Sequence, residues 1–278
     1  MSVTNTPPRR PLWAERVAYT NGMLLDEADF ETEQSYHRWR LSMLARYLNG
    51  TGTVAGLNVE MDVEDPRRLA ITPGLGVDRA GRIIQSPLTL CLNIDNWYQD
   101  RVDEDPDEAR RAFNTGTDGG PDHILADVFL GFRECEAAKR PAFEEGDFDA
   151  LGSVAPLRLR EAVEATLVLR TEENPALPRS MLPTISGTTP EARLESLDAF
   201  KREQGWLEDI WWDDFDSELS LDVEHPNDQL VADIFLARVQ IPATDGTPPT
   251  LNTTIDPVIA NEGRRMVYSA ADLIALGQ

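Results

Sequence analysis

The N-terminal part of the chain contains one long segment whose apolar residues recur at helical spacing. Asp26 is a favourable N-cap for this segment, and acidic residues follow in the first turn, where negative charge stabilises a helix. Asn49 and Gly50 supply a left-handed stop, so the helix is expected to end near Leu48. The sequence therefore predicts a long helix within residues 26–50.

The predicted helix has two apolar sides. One side, called the leucine face below, consists of Phe30, His37, Leu41, Leu44 and Leu48. The other side, called the aromatic face, consists of Tyr36, Trp39, Met43 and Tyr47. A surface helix normally has a single apolar stripe, so two stripes indicate a helix that packs on two sides.

Each face of the helix has its own expected role. The leucine face is expected to pack on the sheet of the same chain, which makes His37 a hydrogen-bonded core histidine. The aromatic face has the composition of a protein interface, so its four residues are predicted contact residues. The alternative is that an N-terminal arm or a later insertion covers both faces within the chain.

The segments after the helix alternate or are rich in β-branched residues, and turn signals separate them. They predict strands within residues 53–63, 67–72, 76–78, 82–84, 88–94, 124–132, 156–170 and 229–241. A hairpin turn is expected at Arg79, Ala80 and Gly81, a second helix within residues 190–212, and a terminal helix from Ser269. The predicted fold class is a β-rich α+β protein, with the N-terminal helix packed on an antiparallel sheet or sandwich and with helical and acidic loop insertions.

Composition shifts along the chain suggest four consecutive parts. These are an N-terminal arm and turn (1–25), the long helix (26–50), a β-rich core domain (51–241) with insertions at 95–122 and 174–228, and a C-terminal tail segment with the terminal helix (242–278).

The charge balance narrows the set of partners. Across 278 residues, 26 Lys and Arg oppose 49 Asp and Glu, which gives a net charge of −23. A surface this acidic repels phosphate backbones and anionic lipid, so neither nucleic acid binding nor membrane insertion is expected. The first residues contain no apolar signal segment, so synthesis in the cytoplasm without a signal peptide is expected.

The inventory of reactive residues is small. The chain has three histidines and two cysteines, and it contains no nucleophile-elbow, phosphate-loop or HExxH motif. Cys91 and Cys135 are expected to be small, mostly buried side chains. The acidic runs at 103–107 and 213–218 lack the glycine of a calcium loop and are interpreted as solvated loops. We expect no catalytic residue, cofactor or metal. With 49 acidic residues, however, a pair of carboxylates spaced as in a glycosidase stays open as an alternative.

Three tryptophans are concentrated at the end of the second predicted helix. They are Trp206, Trp211 and Trp212. Local core packing is one interpretation, and an anchor for another protein is the other, since Trp is typical of binding hot spots. They are predicted interface residues together with the aromatic face.

A block of turn glycines, helix positions and strand positions resembles a known group of proteins. It comprises Tyr19, Gly22, Met23, Leu24, Leu25, Asp29, Phe30, Glu33, Gln34, Tyr36, His37, Leu48, Gly50, Gly52, Val54, Gly56, Leu57, Val59, Pro73, Gly74, Val77, Asp78, Gly81, Arg82 and Ile84. The chain resembles tail-associated proteins encoded with phage-tail-like contractile injection systems. More distantly, it is similar to the N-terminal domain of the type VI secretion baseplate K subunit.

The resemblance implies a non-enzymatic structural component at a baseplate or a fibre attachment. Its implied partners are other tail, baseplate or fibre subunits, and it implies a homo-oligomer such as a trimer within a virion or tail-like particle. Two alternatives stay open at this point. One is a carbohydrate-binding or carbohydrate-hydrolysing protein at a fibre tip, and the other is a secreted cargo or effector protein.

Overall fold

The computed structural model describes residues 3–4, 15–116, 119–141, 154–172, 175, 177–178, 186–203, 232–269 and 272. The helices within these residues are α1 (Glu27–Leu44), α2 (Ile94–Glu104), α3 (Pro106–Arg111) and α4 (Pro190–Glu203). A π-helical turn, Ala45–Asn49, continues α1.

The strands are antiparallel to their neighbours in every named pair. They are β1 (Val3–Thr4), β2 (Gly52–Gly56), β3 (Val59–Met61), β4 (Arg68–Ile71), β5 (Gly74–Val77), β6 (Ile83–Ser86), β7 (Leu90–Asn93), β8 (Phe113–Asn114), β9 (His123–Pro141), β10 (Val154–Leu169), β11 (Ile234–Thr244), β12 (Thr250–Leu251) and β13 (Val258–Ala260). The largest sheet is built around β9, which pairs with β1, β8, β10 and β11, while β12 and β13 pair with β11. Two three-stranded sheets have the orders β2-β5-β6 and β3-β4-β7. The predicted β-rich α+β class with an antiparallel sheet is confirmed.

The main hydrophobic core lies between the two small sheets and the large sheet. Every second residue of β9 points into it, as the pleat of a strand requires. The fully buried members include Leu57, Leu69, Ile71, Ile84, Ile94, Ala126, Val128, Leu130, Leu236, Val239 and Ile241. A second, smaller cluster lies beneath α2 and α3 around Tyr98, Ala109 and Ile124.

Helix α1 begins where the sequence predicts. The Asp26 carboxylate accepts a bond from the Asp29 amide at 3.1 Å, and the Asp29 carboxylate accepts one from the Asp26 amide at 3.1 Å. This reciprocal capping satisfies two donors that the helix itself leaves without partners. At the other end the helical chain stops at Gly50 as predicted, with φ +88 and ψ −178, a conformation that favours glycine but is not the αL cap.

Two of the predicted strands have a different course in the structure. The segment 53–63 forms two strands, β2 and β3, because Gly56 and Leu57 both have positive φ, +64 and +53, and turn the chain. The predicted strand 124–132 is instead the first half of a much longer strand, β9.

The acidic insertion at 95–122 contains more helix than expected. Asn93 caps α2, and Asp105 caps α3 by accepting from the amides of Asp107 and Glu108 at 3.0 and 3.3 Å. The acid at the centre of the 103–107 run is therefore a helix cap.

The expectation for the cysteines was wrong for Cys91, which is exposed on β7, whereas Cys135 is half-buried on β9. The alternating pattern of β7 placed Leu90 and Leu92 against the core, so the residue between them faces outward.

The phenol of Tyr98 gives a prediction about alkaline stability. Its hydroxyl donates to the Pro249 carbonyl at 2.6 Å, and burial raises the pKa of Tyr98 to about 12. The unfolded chain ionises this phenol near the ordinary value of 10.0, so the folded state holds the proton more tightly and stability falls as pH rises from 10 towards 12. We expect Tyr98→Phe to lose about 1 kcal/mol near neutral pH and to show a weaker alkaline decline.

Denaturant titrations at several pH values above about 9, where an ordinary tyrosine begins to ionise, would check this. Tyr268→Phe is the matched control, because Tyr268 is 45% exposed. An equal alkaline decline in wild type and Tyr98→Phe would contradict the prediction.

Candidate functional site

The leucine face of α1 is exposed to solvent. Phe30, Leu41, Leu44 and Leu48 are 49%, 66%, 54% and 76% exposed, and His37 is exposed as well. The expectation that this face packs on the sheet, with His37 in the core, was wrong. Soluble proteins rarely leave a contiguous apolar strip open, so this face is the candidate functional site.

A turn before α1 adds further apolar surface. Met23, Leu24 and Leu25 precede the helix and are 41%, 94% and 36% exposed. The Tyr19 hydroxyl, which lies before this turn, donates to the Glu33 carboxylate on α1. The hydrogen bond raises the pKa of the Tyr19 phenol. The segment is therefore attached to the helix while its apolar side chains face solvent.

The aromatic face lies on the opposite side of α1 and is half-buried. Tyr36, Trp39, Met43 and Tyr47 all have intermediate exposure. The structure thus brings the four residues together on one side, as the spacing predicts. Their role as contacts for another protein stays a prediction.

Small and polar contacts hold α1 against the body of the protein. Gly81, in the β5–β6 turn, lies so close to α1 that a Cβ atom there would be 2.1 Å from the Ser42 carbonyl oxygen. Arg46 donates to the Arg79 carbonyl at 2.5 Å in the same turn. Arg38 forms an ion pair with Glu134 of β9, with Nη2 to Oε1 at 2.7 Å. These contacts fix the helix and leave its leucine face outward.

The hairpin of β9 and β10 extends beyond the core. On β9, the residues from Ile124 to Arg133 are buried, whereas Glu134 and the three residues after it are half-buried. Leu159 on β10 is 59% exposed. Among the described residues, β11 pairs with β9 only as far as Leu130, and β1 pairs with β9 at Glu134 and Cys135. The outer half of the hairpin is therefore a second accessible surface.

A buried ion cluster on the large sheet is best explained as structural. Asp127 has no exposed surface, and its carboxylate accepts from Arg170 at 2.7 Å and from Arg238 at 2.8 and 3.0 Å. Arg170, itself 1% exposed, also donates to Glu172 at 3.1 Å. Three charge-assisted bonds occupy the Asp127 carboxylate, so it serves to pair the buried arginines.

A second buried cluster lies where β9 meets the β5–β6 turn. Arg82 bonds Asp78 with Nε to Oδ2 at 2.6 Å, and its guanidinium lies 4.6 Å from the centroid of the Phe132 ring. Arg133 bonds Asp233 at 3.3 and 3.4 Å. Burial raises the pKa of both Asp78 and Asp233, against the opposing effect of the neighbouring arginines.

In the described part of the chain, the side chains that could bind a metal or act in catalysis do not lie close together. Those residues contain no group of three or more His, Cys, Asp or Glu side chains able to hold a metal ion. His123 lies 3.2 Å from the Pro121 carbonyl, while His225 and the acidic run at 213–218 lie outside the described residues. The predicted interface residues Trp206, Trp211 and Trp212 lie outside them as well.

A shallow cleft runs between β6 and β10. Its volume is about 280 Å³, and Ile83, Phe132 and Val163 contribute to its walls. Glu161 is the acidic residue that lines it. A single carboxylate on a partly apolar wall does not form the pair that glycoside hydrolysis needs.

Comparison with known proteins gives no match: no family model, no curated protein and no solved structure is significantly similar to this chain. Among the helices of the described residues, none is both long and apolar enough to cross a membrane. The candidate site therefore rests on the geometry described above.

Proposed function

We propose that this protein is a structural component of a phage tail or of a phage-tail-like contractile injection system. It sits at the baseplate or at a fibre attachment and acts through protein–protein contacts with other tail, baseplate or fibre subunits. In this proposal it has no catalytic role, and the assembled particle is its working location.

The observation that carries the proposal is the exposed leucine face. Its four large apolar side chains are each about half exposed or more, and the N-cap and the Ser42–Gly81 contact hold the helix that carries them. An apolar strip on a capped helix that the Ser42, Arg46 and Arg38 contacts attach to the body suits a docking surface, since a helix that is already formed loses less order when a partner binds.

Two further features support the same role. The outer half of the β9–β10 hairpin and the two residues of β1 extend the backbone of the large sheet away from the core. The net charge of −23 favours attraction to basic neighbours in a large particle. The resemblance of the turn glycines and helix positions to those of tail-associated proteins supports the same class of assembly.

Sedimentation of the full-length tagged chain from a native producer lysate tests the proposal. We expect the chain to travel with a sheath-and-tube particle through a density gradient. The matched control is the same tagged chain in a producer that lacks the sheath protein, where it should move to lighter fractions.

A chain that stays in the light fraction as a monomer in both lysates would contradict the proposal. Glycan binding and hydrolysis by the isolated chain would then test the fibre-tip alternative.

A further inference from the structure

The leucine face has a regular repeat once Gln34 is included. The six positions, called the seam below, are separated by four, three, four, three and four residues. They are Phe30, Gln34, His37, Leu41, Leu44 and Leu48, and all six are exposed. Alternating spacings of three and four residues are the a and d positions of a coiled coil. A narrow strip at these positions is typical of a helix that pairs with another helix.

We propose that the seam pairs with the seam of a second copy of this chain, in parallel and in register. The inference rests on the proposed function, because it names one of the neighbours that the exposed face contacts in the assembly.

The order of residues along the seam favours the parallel, in-register arrangement. In that arrangement each side chain meets its own counterpart, so Leu41 and Leu44 form two apolar layers at the C-terminal end of α1, and Leu48 follows them on the π-helical turn. Gln34 meets Gln34 of the second copy, and its amide can both donate and accept a hydrogen bond there. A polar layer of this kind fixes the register of a coiled coil.

An antiparallel pair centred on the same seam would match unlike residues. Leu44 would lie opposite Gln34, and Leu41 opposite His37, so two apolar side chains of each copy would face polar ones. Mispairing apolar and polar positions in a buried seam leaves polar groups without partners, which disfavours this arrangement.

One pair of charges beside the seam agrees with the parallel arrangement. Glu33 and Arg38 occupy the g and e positions, which lie next to each other across the interface of parallel helices. In the antiparallel pair, Arg38 would instead face Arg38 of the second copy, which is repulsive. Arg38 keeps its bond to Glu134 in either case, because a guanidinium has several donors.

The seam is short, so concentration should control the pairing. It spans about two and a half heptads, and isolated helices of this length are marginal in water. We expect weak, concentration-dependent association of the free chain. Copies held together in a particle should pair more completely, because tethering raises their effective concentration.

Disulfide trapping tests the geometry directly. In a background with Cys91→Ser and Cys135→Ser, Leu41→Cys places one thiol at an a position. A parallel in-register pair brings the two thiols within the Cα separation of about 7 Å that a disulfide requires, so mild oxidation should yield a linked dimer. Ser35→Cys in the same background is the matched control, because Ser35 is exposed on the same helix and lies off the seam.

We expect Leu41→Cys to be linked at least about tenfold faster than Ser35→Cys, since only the former has a partner thiol within reach. Equal rates would overturn the inference.

A charge variant separates self-association from folding. Leu41→Glu with Leu44→Glu should lower the sedimentation mass of the concentrated full-length chain to that of a monomer. Ser35→Glu should leave the oligomer intact, and the circular dichroism and Tm of both variants should match wild type. A lower Tm in the Leu variant alone would show that the same chain covers the face, which overturns the inference. An unchanged oligomer mass would assign the association to another surface and overturn it as well.

These outcomes are separable from those of the proposed function. If the chain co-sediments with the particle but Leu41→Cys forms no linked dimer, the proposed function stands and the pairing of the seam is rejected. If the free chain forms the linked dimer but does not co-sediment with the particle, the pairing of the seam is supported and the proposed function is rejected.

Discussion

Replacing Asp127 with Ala is expected to destabilise the protein by about 3–5 kcal/mol, because it removes the buried carboxylate that two arginines share. Arg170 is 1% exposed and Arg238 is half-buried, and both donate to this one carboxylate. Arg170 would keep its bond to Glu172, and Arg238 its bond to the Pro175 carbonyl, but water has little access to replace the three bonds that Asp127 accepts. The free energy of unfolding from denaturant titration measures the loss.

Glu104→Ala is the matched control for this prediction. It removes a carboxylate that bonds Arg101 at 2.6 Å, but both side chains are well exposed, at 65% and 40%. Exposed pairs of this kind contribute about 0–1 kcal/mol. If Asp127→Ala cost no more than Glu104→Ala, the buried cluster would not have the structural role assigned to it.

The second large effect is expected for Gly81→Ala. Gly81 has φ +77, a conformation that costs an L-residue about 1–2 kcal/mol. The added Cβ would also lie 2.1 Å from the Ser42 carbonyl oxygen, so the backbone of α1 must move. We expect a total loss of about 3 kcal/mol and faster hydrogen exchange of the α1 amides.

The variant Gly22→Ala separates the backbone strain from the collision with α1. Gly22 has φ +84 but no atom within 4 Å of the added Cβ, so this variant carries the backbone strain without the collision. Equal losses for the two variants would show that α1 moves away from the β5–β6 turn at no cost. Because the same helix carries the seam, Gly81→Ala should also weaken self-association, whereas Gly22→Ala should not.

The sequence predicted those parts of the fold that depend on neighbouring residues. The Asp26 cap, the stop at Gly50 and the turn before Arg82 each arise from local backbone chemistry. Such signals act over three or four residues, so they can be read without knowledge of the tertiary structure.

The orientation of α1 could not be predicted in the same way. The helix attaches to the body through Ser42, Arg46 and Arg38, which are small or polar residues. Apolar periodicity carries no information about contacts of this kind. The leucine face was therefore predicted to lie in the core, although the seam spacing is visible in the sequence.

The length of β9 and the Asp127 cluster were missed for a related reason. The outer half of β9, residues 134–141, contains no large apolar side chain, so it lacks the alternation of large apolar and polar residues that marks a half-buried strand. The partners of Asp127 lie far along the chain, on the residue after β10 and on β11. Only the pairing of the strands brings these charges together.

The length of β9 has a mechanical consequence. Its 19 residues span about 60 Å, from the buried sheet to the outer end of the hairpin. The ladder with β10 runs along most of this length, so a pull along the strand loads many hydrogen bonds at once rather than one after another. A force applied at the outer end would thus be transmitted directly to the ion cluster around Asp127 and to β11. The hairpin would behave as a stiff element anchored in the core.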